Sequence, residues 1–283
     1  SSCHTLLDSL QHICLMHGME VDYYKKLFQT IGNILDLIEK DDMPKYLLFL
    51  ENAFPYMDNY NYHKGMNGII QELKCLLKTK SIGTDSDRAL LLDFQATLET
   101  KPEKAIKLEK DALAQIETIT VDNARLVSNL HANLGGLYRM NGHPDLAREH
   151  MEKSISLLDQ FNLLHINDSI PQIANYAMFL TEQQEPERGI SELQKLSGII
   201  KEYHSDHCLD YAKVQETLGT IYLMTANLPQ AKTHFKRAFK IYEKIWTDEP
   251  EMIEAKYQEI QELYPQVGFF LGQQLSDFLT KQT

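Results

Sequence analysis

A short stretch rich in histidine and cysteine contains residue types that often bind a metal. Its sequence is His204-Ser205-Asp206-His207-Cys208. Zinc accepts nitrogen and sulfur ligands, and side chains three and four residues apart share one face of a helix. However, no fourth ligand is evident, and the stretch lies where a helix is expected to give way to a loop. We therefore favour a polar loop over a metal site, and we predict no metal and no other cofactor.

A second scatter of the same residue types, His12, Cys14 and His17, is a weaker candidate for the same chemistry. The motifs that would indicate catalysis are absent from the sequence: there is no GxxxxGK[ST] phosphate loop, no GxGxxG, no HExxH and no GxSxG. We therefore predict no catalytic residues and no enzymatic activity.

Composition and charge narrow the class of protein. The chain of 283 residues carries a formal net charge of −12, from 28 Lys and Arg against 40 Asp and Glu. Proteins that bind nucleic acid usually present a basic stripe, so this balance argues against nucleic acid and against anionic membranes. No apolar run reaches the roughly 18 to 20 residues that span a bilayer. The four cysteines lack paired spacing, which indicates free thiols in a reducing compartment, and we predict a cytoplasmic protein.

The elements that must position any site recur at a fixed step of 42 residues. Each copy of the pattern begins with a pair of residues, of which the first is large. The second residue of the pair is small in three of the five copies. The pairs are Leu92-Asp93, Leu134-Gly135, Tyr176-Ala177, Leu218-Gly219 and Ile260-Gln261. A second small position follows, at Ala105, Ala147, Gly189 and Ala231, and four residues further on stand Glu109, Met151, Leu193 and Phe235. A fixed period of this length indicates a repeat array.

Each repeat is predicted to be a hairpin of two helices. Turn residues ending in proline separate the two halves, at Thr100-Lys101-Pro102, Gly142-His143-Pro144, Gln184-Glu185-Pro186 and Asn227-Leu228-Pro229. Proline is disfavoured in a helix interior but suits the first turn, so it marks the end of one helix and the start of the next. The small positions let the two helices approach closely, and each hairpin buries its remaining apolar face against its neighbours.

The pattern resembles the tetratricopeptide repeat family, whose Leu-Gly, Tyr and later Ala positions are met best by the blocks that begin near residues 128 and 212. The usual period of that family is about 34 residues. The longer period found here is similar to that of kinesin-light-chain-like proteins and of bacterial peptide-sensing regulators. The resemblance implies an all-α fold, a right-handed α-solenoid of helix hairpins, in which the first helix of each hairpin lines a concave groove.

The resemblance also indicates which residues face that groove. In kinesin-light-chain-like proteins an asparagine just before the large position holds the backbone of a bound peptide, and the matching residues are Asn133, Asn175 and Thr217. A carboxamide offers a peptide backbone both donors and an acceptor. Helical spacing adds further groove candidates: Asn129, Arg139, Met178, Lys213, Glu216 and Thr220. The two cations would suit a carboxylate on the peptide, and Met178 would suit an apolar anchor.

The repeat register predicts how the chain is divided. Residues 1–80 are predicted to form divergent helical pairs, residues 86–246 to form four repeats with starts near 86, 128, 170 and 212, and residues 251–283 to form a partial repeat and a final helix. Two roles for the final helix stay open. We favour capping of the last repeat; the alternative is that Phe269-Phe270 docks a second subunit to form a homodimer.

We predict a scaffold that binds a protein or peptide segment in its concave groove without catalysis. The alternative is the ligand- or peptide-sensing arm of a larger bacterial signalling NTPase or transcription regulator, since similar arrays follow a nucleotide-binding or DNA-binding module in such proteins. The sequence begins at Ser1 without a methionine, and under this alternative we expect a further module upstream. A Walker-type loop or a helix-turn-helix encoded there would support it.

Overall fold

The computed structural model describes residues 43–59 and 61–282. The chain divides into two compact units, Ser1–Asn141 and Gly142–Thr283. The helices predicted before residue 43, with their histidine and cysteine scatter, and the side chain of Phe269 lie outside the described residues.

Five helices make up the described part of the first unit: α1 (Met43–Asn59), α2 (His63–Leu77), α3 (Asp85–Leu98), α4 (Pro102–Ala114) and α5 (Ala124–Met140). A capping box starts α3. The Thr84 hydroxyl accepts from the Asp87 N–H at 3.3 Å, and the Asp87 carboxylate accepts from the Thr84 N–H at 2.6 Å. This reciprocal pair satisfies backbone donors that a helix start leaves without partners. Pro102 lies in the first turn of α4, as the sequence predicts.

The core of the first unit is apolar and lies where α1, α2 and α3 meet. Phe54 and Met66 are almost completely buried there, and the rings of Phe54 and Phe94 stack with 3.9 Å between their centroids. A smaller cluster, which includes the fully buried Ala112 and Leu130, joins α3, α4 and α5. The helix α3 contacts each of the other four helices and so joins the described part of this unit.

Seven helices make up the second unit: α6 (Pro144–Gln160), α7 (Ser169–Glu182), α8 (Pro186–Tyr203), α9 (Leu209–Met224), α10 (Leu228–Ile245), α11 (Pro250–Leu263) and α12 (Pro265–Gln282). A proline stands in the first turn of α6, α8, α10 and α11. The helices α6, α8 and α10 therefore begin where the proline turns of the repeat predict, since proline fits the first turn and is disfavoured in the helix interior.

At two small positions of the repeat in this unit, neighbouring helices approach too closely to admit a Cβ. A Cβ added to Gly189 on α8 would lie 2.7 Å from the carbonyl oxygen of Ala177 on α7, and one added to Gly219 on α9 would lie 2.8 Å from the ring of Phe235 on α10. Ala177 and Phe235 are themselves fully buried. Small residues recur at these positions because close-packed interiors leave no room for an extra carbon.

A residue in the left-handed conformation ends the first helix of three successive repeats. The backbone φ is +76° at Gly142, +64° at Gln184 and +57° at Ala226. After Ala226, the N–H of Asn227 bonds back to the carbonyl of Tyr222 at 2.8 Å, which satisfies a carbonyl that the helix end leaves open. This position is therefore a backbone requirement of the turn, and Gln184 and Ala226 meet it although they carry a Cβ.

Ala226→Gly is expected to raise the free energy of unfolding of the second unit by about 1 kcal/mol, because glycine reaches positive φ without the strain that a Cβ brings. Ala174→Gly, in the interior of α7, is the control and is expected to lower it by about 1 kcal/mol. Urea unfolding followed by the fluorescence of Trp246, the only tryptophan, measures both. A loss of stability in Ala226→Gly would contradict the strain at this position.

All regular secondary structure within the described residues is helical, which confirms the predicted all-α repeat fold. The handedness of the superhelix and the predicted division of the chain stay predictions. In the part of the chain that the structure describes, no helix combines the length and the apolar character needed to cross a membrane.

Candidate functional site

Asn133, the first of the predicted groove residues, lies on the exposed side of α5 and is bonded to α3. Its Nδ2 donates a hydrogen bond to Asp93 Oδ1 at 2.8 Å. Asn129, one turn earlier on α5, and Arg139, near the end of the same helix, are both partly buried. The structure therefore places these three candidates on one helix and fixes the amide of Asn133 through a contact within the first unit.

Two carboxyl groups meet beside Asn133, between α3 and α4. Glu109 is only 2% exposed and lies beside Asp93 and Asn133. Its buried Oε2 has no hydrogen-bond partner within the described residues. Burial, followed by the nearby Asp93 carboxyl, raises the pKa of Glu109 to about 11. Burial also raises the pKa of Asp93 above its ordinary value. Glu109 is therefore a neutral acid near pH 7, because a buried carboxylate beside a second one is disfavoured.

This carboxyl pair occupies two packing positions of the repeat. Asp93 stands at the position of Gly219, and Glu109 at the position of Phe235, each 126 residues earlier in the sequence, which is three repeats. Where Gly219 meets Phe235 the contact is apolar and close, whereas in the first repeat two acids replace it. The sequence shows one acidic residue at a position that is small in three of the five copies and another at a position that is otherwise apolar, but it does not show that the two acids meet.

On the second unit, Asn175 and Met178 lie about one turn apart on α7. Asn175 is exposed, and its side chain has no hydrogen-bond partner within the described residues. Met178 is partly exposed, and α7 packs against α9. A carboxamide that uses none of its donors or its acceptor in this part of the chain is available to a ligand.

Four further candidates lie on α9: Lys213, Glu216, Thr217 and Thr220. Lys213 is exposed and has no ion-pair partner within the described residues. The Thr217 hydroxyl donates to the Lys213 carbonyl at 3.0 Å, and the hydroxyl of the buried Thr220 donates to the Glu216 carbonyl at 3.1 Å. Bonds to the carbonyl four residues earlier are common for threonine in helices. Each threonine hydroxyl therefore uses its only donor within α9 and can only accept a hydrogen bond from a ligand.

Glu216 connects α9 with two other helices. Its Oε2 accepts a hydrogen bond from the Tyr242 hydroxyl of α10 at 2.6 Å, and its Oε1 lies 3.0 Å from Lys256 Nζ of α11. The side chains of this ion pair are only 17% and 21% exposed. Although burial alone lowers the pKa of Lys256, the Glu216 carboxylate raises it above the ordinary value. Glu216 therefore holds α9, α10 and α11 together.

The histidine-rich stretch lies in the turn between α8 and α9. His204 Nε2 lies 2.9 Å from the carbonyl oxygen of His165. Cys208 precedes α9, where its sulfur accepts from the Tyr211 N–H at 3.4 Å. Among the described residues, no three His, Cys, Asp or Glu side chains are grouped so as to hold a metal ion. In the structure, His204 and Cys208 form the contacts of a turn and a helix cap.

Residues 169–244 match the family model described as tetratricopeptide repeat. This match confirms, for that part of the second unit, the resemblance predicted from the repeat pattern. Together, the match and the helix hairpins indicate tetratricopeptide-like repeats in that part of an all-α helical repeat protein. No curated protein sequence matches the chain significantly.

Solved structures extend the likeness to most of the chain. The apo form of RapI is 15% identical, with 96% of this chain and 75% of that chain covered and a TM-score of 0.57. A Rap protein complexed with competence and sporulation factor is 16% identical, with 99% and 80% covered and a TM-score of 0.53. A putative kinesin light chain of Podosopora anserina is 12% identical, with 74% and 99% covered and a TM-score of 0.55. At these identities the likeness shows a shared fold.

Proposed function

We propose that this protein is a non-catalytic scaffold that binds a protein or peptide segment, and that the exposed faces of α7 and α9 supply the contacts. The observation that carries the proposal is the side chain of Asn175, which is exposed and without a hydrogen-bond partner within the described residues. Asparagine is a middling helix former. Binding of a ligand by its amide would explain why an asparagine occupies this position inside α7.

The neighbouring side chains suit an extended peptide. The Asn175 carboxamide can donate to a backbone carbonyl and accept from a backbone N–H. Met178 offers a flexible apolar contact, and Lys213 offers a positive charge to a carboxylate. We infer a peptide that carries an apolar side chain close to an acidic group.

Two further observations support a binding role. One protein of similar fold, a Rap protein, was solved in complex with competence and sporulation factor, so a protein of this fold does bind a partner. Tetratricopeptide repeat proteins are typically scaffolds without catalysis.

On the first unit, Asn129, Asn133 and Arg139 are proposed to form a separate contact surface on α5, where Asp93 fixes the orientation of the Asn133 amide.

Asn175→Ala is expected to weaken binding of a selected peptide about ten-fold, because the variant removes hydrogen bonds to the peptide backbone. Peptides are first selected from a random library on the wild-type protein, and their dissociation constants are then measured by fluorescence anisotropy. Gln194→Ala is the matched control, since it removes an exposed carboxamide from α8, the second helix of the same hairpin. It is expected to leave the dissociation constant unchanged.

Lys213→Gln separates the charge contact from the amide contact. We expect it to weaken binding of acidic peptides and to reduce the dependence of their affinity on salt. Equal affinities for the wild type, Asn175→Ala and Lys213→Gln, with the far-UV circular dichroism unchanged, would show that the peptide binds elsewhere. The sensing arm of a larger regulator stays the alternative predicted from the sequence.

A further inference from the structure

A cavity of about 650 Å³ opens in the second unit beside α10. Its lining includes residues of the start of α9, of α10 and of the end of α12: Tyr211, Arg237, Lys240, Ile241, Lys244 and Lys281. Small-molecule sites have volumes of roughly 300 to 1,000 Å³. Half of the lining comes from α10, the second helix of its hairpin. Asn175, Met178 and Lys213 do not line the cavity, so it is distinct from the surface proposed above.

Four cationic side chains line this cavity although the chain as a whole carries a net charge of −12. Arg237, Lys240 and Lys244 follow one another at spacings of three and four on α10, which places them on one face of the helix. Lys281 approaches from α12. The three lysines have no ion-pair partner in the part of the chain that the structure describes.

Arg237 is held in place by a buried side chain. Its Nη1 donates to Gln215 Oε1 at 3.2 Å, and the same oxygen lies 2.8 Å from His234 Nδ1. Gln215 is 2% exposed and His234 is 8% exposed. A guanidinium group carries five N–H donors in a fixed plane, so one anchored donor orients the others for a ligand.

Two acidic side chains also line the cavity, and both have partners. Asp206 pairs with Lys201 Nζ at 3.2 Å. Glu243 Oε1 accepts from the Tyr257 hydroxyl at 3.0 Å and from Gln274 Nε2 at 3.2 Å. The lining therefore carries four cations against two carboxylates, one of which is already paired with Lys201 outside the cavity, and the cavity has a net positive charge.

Stabilisation of a helix C-terminus explains the position of only two of the four cations. Lys244 lies in the last turn of α10 and Lys281 in the last turn of α12, where a positive charge stabilises the helix dipole. Arg237 and Lys240 lie further from the end of α10, and the dipole effect falls off within the last turn. A ligand with several negative charges accounts for all four.

We propose that this cavity binds a small polyanion that carries phosphate groups. A phosphate group carries up to about two negative charges near neutral pH, whereas a carboxylate of similar size carries one. A cavity of this size with four cations therefore fits phosphate better than isolated carboxylates. Lysine and arginine are the side chains that recognise phosphate, and Tyr211 and Ile241 offer an apolar surface to an attached organic group.

Isothermal titration with inorganic tripolyphosphate at low ionic strength tests this proposal. The wild type is expected to bind at one site, and Lys240→Gln combined with Lys244→Gln is expected to weaken binding about ten-fold or more, because two charged contacts are lost. Lys236→Gln is the matched control, since it removes an exposed lysine of the same helix that does not line the cavity. It is expected to leave the affinity unchanged.

Three results would overturn the proposal: no binding to the wild type, equal weakening by Lys236→Gln, or binding of hexaglutamate but not of tripolyphosphate with the same dependence on Lys240 and Lys244. The last result would assign the cavity to an acidic peptide. Circular dichroism verifies that each variant is folded. Asn175→Ala is expected to leave the titration unchanged, so failure of this proposal and failure of the peptide proposal are distinguishable.

Discussion

Gly189→Ala is expected to lower the free energy of unfolding of the second unit by about 1 to 3 kcal/mol. The added Cβ would lie 2.7 Å from the carbonyl oxygen and 3.1 Å from the Cα of Ala177. Both are backbone atoms of α7, so no side chain can rotate away to make room. The two helices must move apart instead, which disturbs the buried contacts of Leu193 and Leu196 further along α8.

Gly198→Ala on the same helix is the matched control. A Cβ at Gly198 meets no atom within 4 Å, so this variant is expected to raise the stability by about 0.5 to 1 kcal/mol through the better helix propensity of alanine. Urea unfolding followed by Trp246 fluorescence measures both variants in the second unit. A gain of stability in both variants would contradict the close approach of α7 and α8 at Gly189.

Glu109→Gln is expected to make the protein more stable than the wild type at pH 8, by about 1 to 3 kcal/mol. The folded state holds Glu109 protonated, with its pKa near 11, whereas its ordinary value is 4.5. At pH 8 the unfolded carboxyl group has lost the proton that the folded protein keeps. Glutamine is neutral in both states, so it removes this difference and can still donate to Asp93.

The sign of the pH dependence follows from the raised pKa. The contribution of Glu109 to the free energy of unfolding is fully present below pH 4.5 and falls as the pH rises toward 11. Asp93 faces Glu109 from α3, and Asp58 of α1 acts on Asp93. The advantage of Glu109→Gln is therefore expected at pH 8 and should shrink toward zero near pH 4.5.

Urea unfolding by far-UV circular dichroism at pH 5 and pH 8 measures this advantage. Burial raises the pKa of Glu51 to about 9 and lowers that of His234 to about 4, but both residues are present in wild type and variant, so their contributions cancel in the difference. Glu103→Gln, which removes an exposed acid from α4, should show the same stability difference at both pH values. A Glu109→Gln protein that is less stable than the wild type at pH 8 would mean that Glu109 is ionised when folded.

The repeat pattern was sufficient to predict the helix hairpins α7–α8 and α9–α10 and the close contacts at their glycines. Leu134 and Leu218 are almost fully buried, and Gly189 and Gly219 lie where neighbouring helices leave no room for a Cβ. These features are set by local spacing, because residues three and four apart share a helix face. A proline in the first turn is likewise a local signal.

Contacts between residues far apart in sequence could not be predicted in this way. Glu216 was a groove candidate from its spacing, but Lys256, 40 residues later, pairs with it. Asn133 likewise binds Asp93, 40 residues earlier. The repeat pattern predicts which face of each helix is buried. It does not predict which polar side chains of neighbouring helices form hydrogen bonds or ion pairs, because these pairs do not repeat from one hairpin to the next.

The binding of a peptide to the exposed faces of α7 and α9 is tested most directly by site-specific cross-linking. A photoreactive amino acid replaces Lys213 on α9 in one protein and Lys236 on α10 in another, and each is irradiated with a peptide selected on the wild type. We expect cross-linked peptide from position 213 only, and its loss when Asn175→Ala is added. Cross-linking from position 236 alone, or from neither position with the peptide bound, would contradict the proposed surface.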